Sequence, residues 1–121
     1  MSFYLYTGIL TGIYTLYAGL QYYSLSGEGL VDAENVSKMK FDHIIDVRTK
    51  IEWDIGHHKD AIHIPVNNLT KKELKAKKIK ISDKILVYCN TGQRARRAAE
   101  IIRSFGYKDV FYIKNSWKSI K

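Results

Sequence analysis

Short apolar runs alternate with amphipathic stretches along most of this chain. Residues 43–47, 61–64, 85–88 and 110–113 are rich in Ile, Val and Tyr and have the length of buried strands. Residues 49–55 read as a short helix. Thr70-Lys71-Lys72-Glu73 forms a capping box that opens a lysine-rich helix. Residues 95–105 follow a 3.6-residue period, with Ala98, Ile102 and Phe105 on one face and Gly106 as the C-cap. A small helix over residues 33–39 takes Asp32 as its N-cap and turns Val36 and Met39 inward. Strands alternating with helices predict an α/β domain with a mainly parallel central sheet covered by helices.

The N-terminal stretch follows neither pattern. Residues 2–27 carry no charged side chain. As a helix they span roughly 39 Å, against roughly 30 Å of bilayer hydrocarbon. Ile9, Leu10, Ile13, Leu16, Ala18 and Leu20 fill the middle, with Phe3, Tyr4 and Tyr6 at one end and Tyr22 and Tyr23 at the other. That is the aromatic-belt arrangement of a spanning helix. The sequence therefore predicts one long apolar helix over residues 1–27, crossing a membrane once, before a domain over residues 28–121. The alternative is an amphipathic helix docked on the domain. No Lys or Arg precedes the apolar run, which disfavours a secretory signal peptide. Gly8 and Gly12 make a G-x-x-x-G that would allow two such helices to pair as a homodimer. All twenty Lys and Arg follow the run, the nearest being Lys38 and Lys40. The positive-inside rule then places the domain on the cytosolic side.

The net charge of +8 in 121 residues favours anionic partners. Lys71, Lys72, Lys75, Lys77, Lys78 and Lys80 crowd into ten residues. A solvated helix face is the plainest reading. Nucleic acid is disfavoured because no aromatic residues interleave the lysines. Anionic lipid is favoured because the domain would hang close to a bilayer. A single cysteine cannot form an internal disulfide, so nothing points to an oxidising compartment.

That cysteine carries the candidate chemistry. Cys89 begins Cys89-Asn90-Thr91-Gly92-Gln93-Arg94, between the predicted strand at 85–88 and the predicted helix at 95–105. A strand-to-helix turn offers free backbone N–H groups and the positive end of a helix dipole, both of which favour a thiolate. Gly92 permits a tight curl. Arg94 adds a fixed positive charge that could hold an anionic donor or orient the loop. The contrary reading, Cys89 as a small buried hydrophobe, does not explain the Gly and Arg beside it. No metal site is expected: His57 and His58 are adjacent and point apart, and no third ligand is placed. His43 and His63 read as solvent-facing or locally bonded.

The Cys89-to-Arg94 spacing resembles the active-site loop of the rhodanese family of sulfurtransferases. Further segments resemble the same family in order. They are Asp46-Val47-Arg48, Glu52, Gly56-His57, Ala61-Ile62-His63-Ile64-Pro65, Gly106-Tyr107 and the run from Val110 to Ile113. Cysteine-dependent phosphatases use a loop one residue longer, and here that position is Ala95. The resemblance implies a rhodanese-like fold over residues 28–121 and sulfurtransferase activity without a cofactor. Sulfane sulfur would pass from a small sulfur-containing anion, such as thiosulfate or a persulfide, to a thiol or cyanide-like acceptor. Cys89 would be the catalytic nucleophile. Asn90, Thr91, Gly92, Gln93 and Arg94 would bind the substrate, and Asp46 and Arg48 would brace the site. Glu52 and His57 would fix the segment before the next strand. A sulfur carrier or adaptor without turnover is the other function compatible with the loop. The chain departs from the family where Asn115-Ser116 stands in place of a Gly-Gly before Trp117. Asn tolerates left-handed backbone, which would preserve that turn. A final helix would be short or absent.

Overall fold

The computed structural model describes residues 28–120. The predicted span over residues 1–27 and its G-x-x-x-G lie outside them. Among the described residues no helix is long and apolar enough to cross a membrane.

Four strands form the sheet: β1 (His43–Asp46), β2 (Ala61–His63), β3 (Ile85–Tyr88) and β4 (Val110–Tyr112). Their spatial order is β2-β1-β3-β4 and every pairing is parallel. In the centre Ile45 lies opposite Val87 and Ile62, and Leu86 lies opposite Ile44 and Phe111. Beyond β4 the chain adds a single parallel bridge, Leu30 to Tyr112.

Strand periodicity splits the core into two layers. Ile85, Val87 and Cys89 face one side, where they meet Ala95, Ala98, Ala99 and Ile102 of the helix that follows. Leu86 and Tyr88 face the other, against Val36, Ile113 and the partly buried Phe41, Phe111 and Trp117. All four β3 residues are buried, as both-face coverage of a parallel sheet requires.

Among the described residues four α-helices surround the sheet: α1 (Val36–Met39), α2 (Lys50–Ile55), α3 (Lys71–Ala76) and α4 (Gln93–Ser104). The predicted helix over 33–39 is a 3-10 turn, Ala33–Asn35, running into one turn of α1. Asp32 makes no side-chain cap, so that expectation is corrected. A full capping box forms on α2, between Thr49 and Glu52, where none is expected from the sequence. At α3 only half of the expected box is made: Thr70 accepts from the Glu73 N–H. The helix predicted over 95–105 starts two residues earlier, at Gln93, inside the cysteine loop. Its C-cap is Phe105, and Gly106 follows with φ 103°. Neither Asn115 nor Ser116 takes a left-handed backbone. Instead the Ser116 side chain accepts from the Lys118 N–H and caps a last 3-10 turn, Trp117–Ser119.

Candidate active site

Because all strands run the same way, their C-terminal ends share one edge. Asp46 ends β1 there with Val47 and Arg48 just beyond it, and Cys89 follows the last residue of β3. Open α/β sheets place ligand groups at this edge. The thiol sits under the turn into α4. Cys89 is fully buried, and its Sγ accepts N–H hydrogen bonds from Gly92 at 3.1 Å and Ala95 at 3.4 Å. Gln93 and Arg94 open α4, so helix geometry gives their N–H groups no acceptor within it. The sulfur therefore faces donors, the environment that stabilises negative charge on it.

Gly92 shapes this turn. Its φ is 93°, and a Cβ there would lie 2.8 Å from the Lys114 Cα. The position thus excludes a side chain twice, by backbone angle and by contact with the chain after β4.

Among the described residues no arginine hydrogen-bonds the sulfur, although the Arg94 charge lies near enough to interact with it. Arg94 gives both terminal nitrogens to Glu52, at 2.6 and 2.9 Å. Of its two expected roles, orienting the loop is the one this geometry serves. Asn90 Nδ2 donates to the same carboxylate, as do the Thr49 N–H and hydroxyl. Glu52 thus ties together two residues of the cysteine loop, Asn90 and Arg94. Hydrogen bonding from Arg94 holds its carboxyl down at about 2. The same pairing raises the Arg94 pKa.

Asp46 and Arg48 form a second clamp beneath. Both are buried, and four Arg48-to-Asp46 hydrogen bonds lie between 2.7 and 3.1 Å. The guanidinium also donates to the Gly56 carbonyl at 2.6 Å and to Asn90 Oδ1 at 3.4 Å. Arg48 stands 5.6 Å over the Tyr88 ring. The Tyr88 hydroxyl accepts the His58 N–H at 3.0 Å. Burial first, and then hydrogen bonding with Asp46, raise the pKa of Tyr88. One polar path therefore runs Asp46, Arg48, Asn90, Glu52, Arg94.

Two clefts flank the loop. One of about 320 Å³ is lined by Arg48, Ile55, Gly56, Asn90, Ser116, Trp117 and Lys118. A smaller one of about 150 Å³ touches Thr91, Gly92 and Gln93. Thr91 and Gln93 are exposed at its rim.

Two features escape linear reading. Glu52 is expected only to steady its own segment, yet it reaches across to residues 38 and 42 positions away. The capping spacing Thr49-x-x-Glu52 was its one visible signal. Trp53 stacks between His57, 3.4 Å away and parallel, and His63 at 4.8 Å. His57 Nδ1 bonds the Trp53 carbonyl, His63 Nε2 bonds the Arg48 carbonyl and His43 Nε2 pairs with Asp83, each at 2.8 Å. His43 and His63 thus bond partners distant in sequence, and among the described residues no group of three or more potential metal ligands occurs.

The parallel sheet and the buried thiol at its edge, held by two main-chain N–H groups, define an α/β domain with one cysteine at its strand-to-helix turn. The chain belongs to the rhodanese-like domain family, whose model matches residues 30–121. It is 35% identical over 69 residues to the thiosulfate sulfurtransferase PspE of Escherichia coli (strain K12), covering 57% of this chain and 65% of that one. It is 33% identical over 87 residues to a tRNA uridine(34) hydroxylase of Buchnera aphidicola, covering 69% of this chain and 28% of that protein. The chain thus spans little more than a quarter of that hydroxylase's length. The solution structure of protein hp1203 from Helicobacter pylori superposes with a TM-score of 0.62 at 27% identity, covering 74% of this chain and 78% of its own.

Proposed function

We propose that this protein is a membrane-anchored sulfurtransferase that carries sulfane sulfur on Cys89. The observation that bears most on this is the Cys89 Sγ accepting two main-chain N–H groups at the start of α4. With thiosulfate as donor, the Cys89 thiolate attacks the outer sulfur. A new S–S bond forms, the old S–S bond breaks, and sulfite leaves with its electron pair. The terminal sulfur of the persulfide carries the negative charge, and the loop amides stabilise it as an oxyanion hole stabilises oxygen. An acceptor thiolate or cyanide then attacks that terminal sulfur. Cys89 leaves as thiolate and is ready again. No proton or electron is left over.

Asn90, Thr91, Gly92 and Gln93 contribute the wall of the sulfur pocket, and Arg94 acts through Glu52 to hold it. Asp46 and Arg48 fix Asn90 from below. The membership of the family and the likeness to PspE support the reading. Residues 2–27 provide the anchor, with the domain in the cytosol. The decisive test is intact mass after incubation with thiosulfate. One added sulfur on the wild type, none on Cys89→Ser, and loss of that sulfur when cyanide is added support the enzyme. A sulfur that loads but does not leave to any thiol or cyanide identifies a carrier instead. A Cys89→Ser variant that still takes up sulfur refutes the assignment.

A further inference from the structure

The edge of the sheet opposite the cysteine loop has its own character. The first residues of the strands, His43, Ala61, Ile85 and Val110, lie along it. The segment leading into β3 crosses it and opens a groove of about 390 Å³, lined by Lys75, Lys78, Ile79, Lys80, Ile81 and Tyr107. The buried Tyr107 donates its hydroxyl proton to the Ile79 carbonyl at 2.9 Å, which fixes the floor. Three lysines and no carboxylate line the groove. Asp60 and Asp109, which precede β2 and β4, stand outside the groove lining, and the other acids nearby hold partners. Asp83 accepts from the Lys80 N–H and the His43 ring, Asp42 from the Lys84 N–H, and Glu73 lies 4.0 Å from Lys77. Among the described residues Ile81 is one of three large hydrophobic side chains left exposed.

The chain enters the domain at the same edge. Arg103 Nη2 donates to both the Glu28 and the Val110 carbonyls, at 3.0 and 2.9 Å. Tyr112 N–H donates to the Gly29 carbonyl at 2.8 Å. Residue 28 is thereby fixed beside the first residue of β4. The uncharged residues 2–27 join the domain there, and the Cys89 loop lies at the far ends of the strands, about 13 Å of β-structure away.

We infer that this strand-start edge is a lipid-binding surface: Lys75, Lys78 and Lys80 meet the anionic headgroups of a bilayer, Ile81 enters the interface, and the Cys89 loop faces away from the membrane. The inference draws on the proposed anchor only for which end lies near the bilayer; the groove itself stands on charge and shape. Lysines near an anionic leaflet add up roughly independently, so three of them favour anionic over neutral bilayers on the order of a hundredfold. An exposed isoleucine among lysines suits an interface with an apolar side. It adds nothing on a phosphate backbone, and the only aromatic ring in the groove, Tyr107, is buried and offers no base a stacking face.

The test uses the full chain on vesicles of phosphatidylcholine alone and of phosphatidylcholine with phosphatidylserine. Amide hydrogen exchange is followed over residues 75–81 and 89–94. The expected result is slowed exchange at 75–81 on the serine-lipid vesicles only, with 89–94 unchanged, and loss of that slowing in Lys75→Gln/Lys78→Gln/Lys80→Gln. Sulfur uptake by this variant in detergent shows that it folds. Ile81→Trp supplies a second readout, a blue-shifted emission on the serine-lipid vesicles alone. Equal exchange on both vesicle types with the protein bound overturns the inference. So does slowing produced by single-stranded RNA without vesicles, which assigns the lysines to nucleic acid. Slowing on serine-lipid vesicles by a chain that ignores neutral ones supports the lysine surface and overturns only the anchor.

Discussion

Replacing Glu52 by Gln tests the link between the loop and the rest of the site. The side chain keeps its shape and loses its charge. Arg94, Asn90 and Thr49 all donate to Glu52, and a glutamine amide would turn an N–H₂ group toward some of these donors. The carboxyl falls from 4.5 to about 2 in the folded protein. At about 1.4 kcal/mol per unit that shift is worth at most about 3.5 kcal/mol. Arg94 is 36% exposed and Glu52 25%, so solvent screening reduces the figure to about 1 to 2 kcal/mol. A carboxyl with a depressed folded pKa stabilises the protein above its unfolded value. That contribution is present above about pH 4.5 and disappears as pH falls toward 2. The Glu52→Gln variant lacks this acid-dependent component. Urea unfolding of both proteins from pH 7 to pH 2 should show a gap of about 1 to 2 kcal/mol at neutral pH that closes at the acid end. Other carboxyls, including Asp83, which is held low by the Lys80 N–H, titrate in both proteins and cancel in the difference. Sulfur-transfer turnover should fall by up to about tenfold at pH 7, since about 1.4 kcal/mol less in favour of the ordered loop lowers its ratio to the released loop tenfold. A gap that is absent at pH 7, or that stays constant to pH 2, would refute the account of Glu52 as the charged tie between Asn90 and Arg94.

Gly92→Ala should cost at least about 2 kcal/mol and abolish persulfide formation, because the added Cβ meets the Lys114 backbone at a left-handed φ; thermal unfolding and intact mass read both effects, and a stable, active variant would contradict the loop geometry. Arg94→Ala should lower turnover about tenfold or more and Arg94→Lys should restore little of it, since one ammonium cannot repeat the two-pronged contact with Glu52. Arg97→Ala, at an exposed α4 position, should leave the rate within about twofold; equal losses at both sites would point instead to a diffuse basic surface that recruits the donor. Lys40→Gly should raise stability by about 0.5 to 1 kcal/mol, because Lys40 ends α1 at φ 52° and glycine takes that conformation without strain; denaturant midpoints decide it.

The parallel α/β plan was legible because buried strands leave continuous apolar runs. Residues 85–88 had to be covered on both faces, and only helices on either side of a parallel sheet do that. The lone thiol between strand and helix was equally local, as was the Thr70 cap of α3, since both follow from neighbours a few positions apart. The tertiary structure decided which cation does what. Linear spacing set Arg94 beside the sulfur. Folding brought β1 next to β3 and so carried α2 over the loop, where Glu52 takes the Arg94 guanidinium instead. Arg48, well separated in sequence, became the support under Asn90. The start of α4 also moved inside the loop, because the turn at Gly92 is fixed by Lys114 from beyond β4, a contact no local pattern encodes. Hydrophobic periodicity records what each segment must bury. Strand order and crossing contacts determine where its charges meet partners, and those are set only once the segments pack together.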